Sequence, residues 1–258
     1  MNFTVEHLEF YLLVLIRVSA FILAAPFFSY QTVPRRVKAV LSIMLAIFII
    51  QIIPVEKVSY TGVLGFSSLV IQEAAVGMML GFMCNFAMYI VSFAGNLMDM
   101  EMGLSMASMF DPSTRIQVTV SGSIYNYLVM LVLMATNMHY VVIRAITDAF
   151  KYFSVGKAVF NGDLASMTIE FITNYFIVGF RIVLPVFACM LVINVVLGVL
   201  TRAAPQMNMF VVGMQLKVLA GIVVLMIVLN TIPTVANFIM EQMKSIIVDM
   251  YKYFTPTR

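Results

Sequence analysis

Residues 74–98 read AAVGMMLGFMCNFAMYIVSFAGNLM, twenty-five consecutive positions without a formal charge. About 20 apolar residues suffice for a helix to cross a hydrocarbon layer of about 30 Å, so this stretch reads as a transmembrane helix. Gly77 and Gly81 stand four apart within it, on one face, where small residues let two helix backbones approach closely. The helix is therefore expected to pack against another helix, within the chain or in a neighbouring subunit, and not against lipid alone.

Outward from that stretch, five more charge-free runs stand as candidate spans, at 18–34, 39–55, 116–143, 182–201 and 218–240. The longest are spans by length, but Ala39 to Ile53 reaches only about 22 Å at about 1.5 Å per residue. Pro26 interrupts the first run, and Pro185 and Pro233 interrupt later ones, which membrane helices tolerate because neighbours satisfy the freed backbone groups. Between the runs lie short punctuated connections: Tyr30 to Lys38, residues 54–62, residues 99–115, and a polar region at 144–170 containing Asn161-Gly162-Asp163. The first cation is Arg17, after Glu6 and Glu9, so residues 10–28 read as a permanent helix and not as a cleaved leader. The fold expected is a single all-α membrane domain over residues 1–258, with about six hydrophobic helical segments.

Composition supports this. The 258 residues are 62% hydrophobic and 10% charged, with a mean hydropathy of +1.03. Soluble domains carry about 25% charged residues, and a chain this poor in charge cannot cover a water-facing surface. Net charge is +3 and the 15 Lys and Arg are scattered, which gives no nucleic-acid stripe. Cys84 and Cys189 sit in apolar runs as small hydrophobes. His7 and His139 have no adjacent acid or nucleophile, and no phosphate-binding glycine loop or metal-ligand spacing occurs. No enzymatic site, cofactor or metal is expected.

Charge placement does not assign an orientation. Six spans with an outside N-terminus put five cations inside (Arg35, Arg36, Lys38, Arg115 and Arg202) against seven outside, and leave Arg17, Arg181 and Lys217 within spans. Either the span count is wrong, or some helices do not cross as ordinary spans. Six ionisable residues lie in or beside apolar runs: Arg17, Glu73, Asp99, Glu101, Arg181 and Lys217. A charge at mid-bilayer costs at least about 2.5–3.5 kcal/mol, so each needs a partner, a wet path or a snorkelling route to the interface.

Four segments together resemble the FliR family, the export-gate subunit of the bacterial flagellar type III secretion system. They are Arg17 to Ala39, with Ala25-Pro26-Phe27 and Val33-Pro34-Arg35-Arg36-Val37-Lys38; Gln72-Glu73 with Gly77, Leu80, Gly81 and Phe82; Gly95 to Pro112, with Gly103, Ala107 and Asp111-Pro112; and Leu184-Pro185 to Gly198, followed by Arg202-Ala203-Ala204-Pro205-Gln206-Met207-Asn208, Lys217 and Gly221. The likeness runs in the family's order over about residues 10–240. Glu101 departs from it, standing where the resemblance implies glutamine.

The resemblance implies a helical gate built with FliP and FliQ homologues at the flagellar basal body in the inner membrane, with FlhA and FlhB homologues nearby. Unfolded flagellar proteins are the implied cargo. It implies helices lifted out of the ordinary bilayer plane, which would explain the short 39–53 run and the failed orientation test. It also places the segment from Ser105 to Asp111 in the channel as a plug. Met106, Met109 and Phe110 suit that role independently, because flexible or bulky apolar groups beside Pro112, which stiffens the exit, can exclude water and still yield; they equally suit the apolar end of a helix, and Asp111 and Pro112 complete the expected plug. Gly77, Gly81, Arg202, Pro205 and Gln206 are expected to make helix or subunit contacts. Arg17, Glu73, Glu101, Arg181 and Lys217 are the expected buried charges. A virulence-injectisome subunit would share these features, and a secondary transporter using Glu73 and Arg181 is the alternative from another class.

Overall fold

In a computed structural model the described residues are 5–56, 58–105, 119–158, 164–206 and 209–254. Among them the regular structure is helical: α1 Val5–Ala24, α2 Arg35–Ile52, α3 Gly62–Met102, α4 Val120–Ala135, α5 Met138–Tyr152, α6 Leu164–Ala203, α7 Met209–Val228 and α8 Ile232–Phe254, with a 3-10 turn at Leu229–Thr231 between the last two.

The helix ends follow local chemistry. Helix α1 stops before Ala25-Pro26, where the ring disfavours helical geometry for the preceding residue. Phe27 then turns the chain at φ 69, an uncommon value for a non-glycine residue, and its ring is buried. Pro34 precedes α2, where a missing N–H costs nothing. Pro233 likewise lies in the first turn of α8, so the break in the 218–240 run falls at the 3-10 turn just before it. Pro185 does lie inside a helix, where it leaves the carbonyl four residues back, that of Arg181, without its helical donor.

Each of the six hydrophobic runs contributes to a helix where described, although residues 25–34 connect α1 to α2, and among the described residues they yield fewer spans than six. Four helical stretches are long and apolar enough to cross a membrane: His7–Ala24, Gly62–Met102, Ile169–Ala203 and Val212–Tyr251. A fifth is possible if α4 and α5, broken near Asn137, count together. Helix α2 is excluded because three cations, Arg35, Arg36 and Lys38, crowd its first turn beside the short apolar run. The six-span premise of the charge count therefore fails. The segment at 144–170 is also not all connection, since α5 carries Arg144, Asp148 and Lys151 on a helix. Helices α3 and α6, at 41 and 40 residues, would each extend about 60 Å if straight, about twice the hydrocarbon thickness.

Two compact units share these helices. The first contains residues 1–87, 136–169 and 240–258. Its core takes Leu13, Val14 and Phe21 from α1, Val76, Leu80 and Cys84 from α3, Val142, Ile146 and Ala149 from α5, and Met243 and Met250 from α8. The spacings of three, four and seven mark one face of each helix. The second unit contains residues 88–135 and 170–239. Val91, Ala94 and Met98 of α3, Tyr125 and Val129 of α4, Val186 and Met190 of α6, and Ala236 and Ile239 of α8 are buried there. Cys84 is buried as expected, but Cys189 is exposed on α6.

Candidate functional site

The first unit is organised around a buried ion pair. Arg17 and Glu73 have fully buried side chains. The guanidinium meets the carboxylate with two donors: Nε donates to Oε2, and Nη2 donates to Oε1 at 2.9 Å. The third nitrogen is also used, since Nη1 donates to the carbonyl of Phe153 at 3.1 Å. Glu73 Oε1 in turn accepts from the backbone N–H of Gly156 at 2.7 Å. The Phe150 ring lies 4.3 Å from the guanidinium carbon and the Phe153 ring 5.1 Å away, which adds cation–π attraction. Next along α3, Gln72 donates to the carbonyl of Ala158. Three side chains from two helices thus fix the backbone just after α5. Gly156 adopts φ +75, a conformation that a side chain would strain.

This arrangement requires α1 and α3 to touch. A Cβ at Gly77 would overlap the carbonyl oxygen of Arg17, and one at Gly81 would come within 2.5 Å of the Phe21 carbonyl oxygen and 2.9 Å of the Ala25 nitrogen. Arg17, Phe21 and Ala25 are themselves four apart, so the two glycines clasp one ridge of α1. The helix that the glycines were expected to meet belongs to the same chain. Beyond the clasp, Lys38 Nζ donates to the Ser29 carbonyl at 3.0 Å, and Asn85 Nδ2 donates to Ser29 Oγ at 3.2 Å. The Pro26–Lys38 connection is thereby held at both ends.

At the surface of the same unit, Lys157 Nζ lies 2.7 Å from Glu56 Oε2, and Ser154 Oγ donates to Glu56 Oε1 at 3.1 Å. The hydrogen bond from Lys157 holds the Glu56 carboxyl below its ordinary value.

The second unit repeats the close crossing with different residues. A Cβ at Gly95 would fall onto the backbone of Gly122, so α3 and α4 approach glycine to glycine. One turn on, buried Asp99 accepts from the backbone N–H of Ser121 at 3.1 Å through Oδ1 and 3.3 Å through Oδ2. The carboxylate thus takes one of the N–H groups that lack a helical partner at the start of α4. Gly179 of α6 leaves room for the Phe93 ring, whose carbons a Cβ there would approach to 2.6 Å.

Of the five expected buried charges, only Arg17 and Glu73 are buried and joined. Glu101 and Lys217 are half-buried, and Arg181 is exposed, with its guanidinium carbon 5.9 Å from the Phe238 ring. No ion pair among the described residues joins these three. A general pairing of three acids with three bases is therefore not what this chain forms, because Asp99 takes a backbone donor and the other charges lie nearer the surface. Arg202, Pro205 and Gln206 are exposed. Arg202 lies in the last turn of α6, where a cation complements the helix dipole. Met106, Met109, Phe110, Asp111 and Pro112 lie outside the described residues. The Gly95–Gly122 crossing and the Phe150 and Phe153 rings over Arg17 were not anticipated; Ser121-Gly122-Ser123, a run of small residues, was the available signal for the first.

A family model described as bacterial export proteins, family 1, matches residues 8–243. The chain is 30% identical over 238 residues to the flagellar biosynthetic protein FliR of Bacillus subtilis, with 90% of each chain covered. It is 29% identical over 245 residues to that of Escherichia coli, covering 94% of this chain and 93% of the relative. To that of Aquifex aeolicus it is 26% identical over 252 residues, covering 96% and 95%.

Proposed function

The chain belongs to the bacterial export proteins, family 1, as a FliR-type subunit of the flagellar export gate, and we propose that it builds this gate with FliP and FliQ homologues in the bacterial inner membrane. The observation that carries the proposal is the family match over nearly the whole chain together with flagellar relatives of similar length. The flagellar names of those relatives favour a flagellar over an injectisome setting, and family membership leaves the transporter reading without support.

The distribution of apolar surface supports assembly. Only 22% of the most apolar window of α6 is buried within the chain, and Phe176, Phe180, Leu184, Phe187, Leu191 and Val195 are all exposed. A helix that is apolar on every side must be covered by lipid or by other helices. Since α6 is about twice as long as the hydrocarbon layer is thick, lipid alone cannot cover it. FliP and FliQ homologues supply that cover in the proposal, with FlhA and FlhB homologues alongside. Unfolded flagellar proteins pass through the lumen, and the chain positions and seals them without transforming them chemically. The two units act as one membrane domain, and residues 105–111 act as the plug.

Co-expression tests this reading. The chain expressed alone should aggregate or be degraded, whereas with FliP and FliQ homologues it should elute in mild detergent as one large particle. A monodisperse, protease-resistant monomer from the single expression would refute the assembly reading.

A further inference from the structure

Helix α6 packs inward along one stripe and presents another outward. Gly179, Ile182, Val186 and Met190 are buried in the second unit. On the opposite side Asn174, Ile177, Arg181, Leu184, Ala188 and Leu191 follow one another at alternating steps of four and three, and all six are exposed. That alternation is the spacing of a seam between two helices lying side by side. Phe176, Phe180 and Phe187 flank the stripe and are exposed as well.

Two polar residues, Asn174 and Arg181, interrupt this seam, and neither water nor lipid suits the mixture. A water-facing helix would not expose Ile172, Phe176, Ile177 and Phe180 over the same turns. In lipid the Arg181 guanidinium would need a counter-charge, and among the described residues no carboxylate joins it. Glu170 of the same helix is eleven residues away, about 16 Å at about 1.5 Å per residue, which the two side chains cannot bridge. The Phe238 ring, 5.9 Å from the guanidinium carbon, stands at the outer limit of cation–π attraction. One turn on, Pro185 is exposed on the same face and leaves the Arg181 carbonyl without its helical donor. A cation without an anion and an acceptor without a donor thus lie together on an apolar seam.

We propose that a partner helix lies along this seam and presents one carboxylate to the Arg181 guanidinium, with an N–H or O–H donor nearby for the Arg181 carbonyl. The partner is an apolar helix carrying a single acid, since further charges would fall against Leu184, Ala188 and Leu191. One polar contact inside an apolar seam sets which residues stand opposite each other, because every other register strands the buried cation. Arg181 therefore fixes the register of the neighbouring subunit, and the flanking aromatic rings keep water from the contact, as around interface hot spots. The inference deepens the gate reading and rests on it, the helix belonging to a neighbouring subunit of the gate.

The test uses the full-length chain co-expressed with FliP and FliQ homologues. A photoactivatable phenylalanine analogue placed in turn at 177, 184 and 191 should crosslink to one partner helix. The crosslinked positions should advance by about seven residues each time and bracket an acidic residue. Arg181→Glu should lower recovery of the assembled particle about tenfold and leave accumulation of the chain unchanged. Exchanging the bracketed acid for arginine should restore recovery, and Arg181→Lys should lose less than Arg181→Glu. If the unaltered chain yields no particle, the gate reading falls and the seam falls with it. If the particle forms, the seam alone is overturned by crosslinks to lipid or to a second copy of this chain, by a bracketed stretch without an acid, or by normal recovery of Arg181→Glu. Should Arg181→Glu fail to accumulate, the crosslinks, which leave Arg181 in place, decide the matter.

Discussion

Arg17 and Glu73 lie 56 residues apart in sequence, and their contact exists only because two glycines let α1 and α3 approach. Charge in an apolar run identifies a residue that needs a partner, but it does not say which partner. That is why the sequence singled out both residues without joining them, and why it also singled out Arg181, which the fold leaves exposed. The joined pair makes a sharp prediction. Removing one member leaves an uncompensated buried charge, which costs about 3–5 kcal/mol, whereas removing both in favour of apolar groups can be nearly neutral. Arg17→Met should abolish accumulation of folded protein in membranes, and Arg17→Met combined with Glu73→Leu should restore much of it, as read by protease resistance. Restoration will be incomplete, because the Phe153 carbonyl and the Gly156 N–H lose their partners. The surface pair Glu56–Lys157 behaves differently. The Glu56 carboxyl lies below its ordinary value of 4.5, so the contact stabilises fully above that pH and is lost as pH falls through the lowered folded value. The side chains are 35% and 66% exposed, so screening limits the contribution to less than about 1 kcal/mol. Glu56→Gln should lower thermal stability slightly at pH 7, and the difference from the unaltered protein should vanish in acid. A difference that grows on acidification would contradict this account.

The helices themselves were largely legible, because long apolar runs without a formal charge are read directly from sequence. Their limits were less so. Runs without charge mark where apolar sequence lies, whereas α3 starts at Gly62, twelve residues before its charge-free core, through polar positions such as Ser67, Ser68, Gln72 and Glu73 that a helix accommodates. The run 39–55 was legible as too short, and α2 does fail as a span. The closest helix contacts were half legible: Gly77 and Gly81 announce themselves by spacing, while Gly95 and Gly122 meet across two helices and have no spacing to read. Glycines in helices therefore differ in what they tolerate. Gly81→Leu would drive a side chain into the α1 backbone, and overpacking of that kind costs about 1–3 kcal/mol or more. At Gly198 on α6, an added methyl group would meet nothing within 4 Å in the isolated chain. Gly198→Ala should therefore raise intrinsic helix stability by up to about 1 kcal/mol unless a partner helix packs there. The two variants separate fold from assembly: Gly81→Leu should reduce accumulation of the chain itself, and Gly198→Ala should leave accumulation intact. A fall in recovery of the partner complex for Gly198→Ala alone would mark that face of α6 as a subunit contact, and equal recovery would place it against lipid.

For the whole molecule, a channel wide enough for an unfolded polypeptide must still hold a membrane potential. One elementary charge crossing 100 mV is worth about 2.3 kcal/mol, so a gate open at rest would dissipate the gradient across its own membrane. A seal must exclude water and ions without gripping any particular passing sequence, and apolar side chains do this by dewetting a constriction. Residues 105–111 read SMASMFD. Methionine is unbranched and repacks at low cost, phenylalanine is bulky, and proline is stiff, which are the properties a seal built from Met106, Met109, Phe110 and Pro112 would use. We propose Phe110 as the chief contact of the seal. If these residues face the lumen, they contribute little to the packing between helices, and their removal should spare assembly. Deleting Met106 to Phe110, or combining Met109→Ala with Phe110→Ala, should leave recovery of the complex with FliP and FliQ homologues unchanged while raising ion leakage. Cells expressing either variant with its partners should show a lowered membrane potential and slowed growth, and the deletion should have the larger effect because it removes the obstruction as well as its apolar surface. Leakage should also depend on the partners, since the chain expressed alone has no assembled lumen to leak through. Loss of the particle without any leak would mean that the segment packs between helices, and the seal would have to lie elsewhere along the channel.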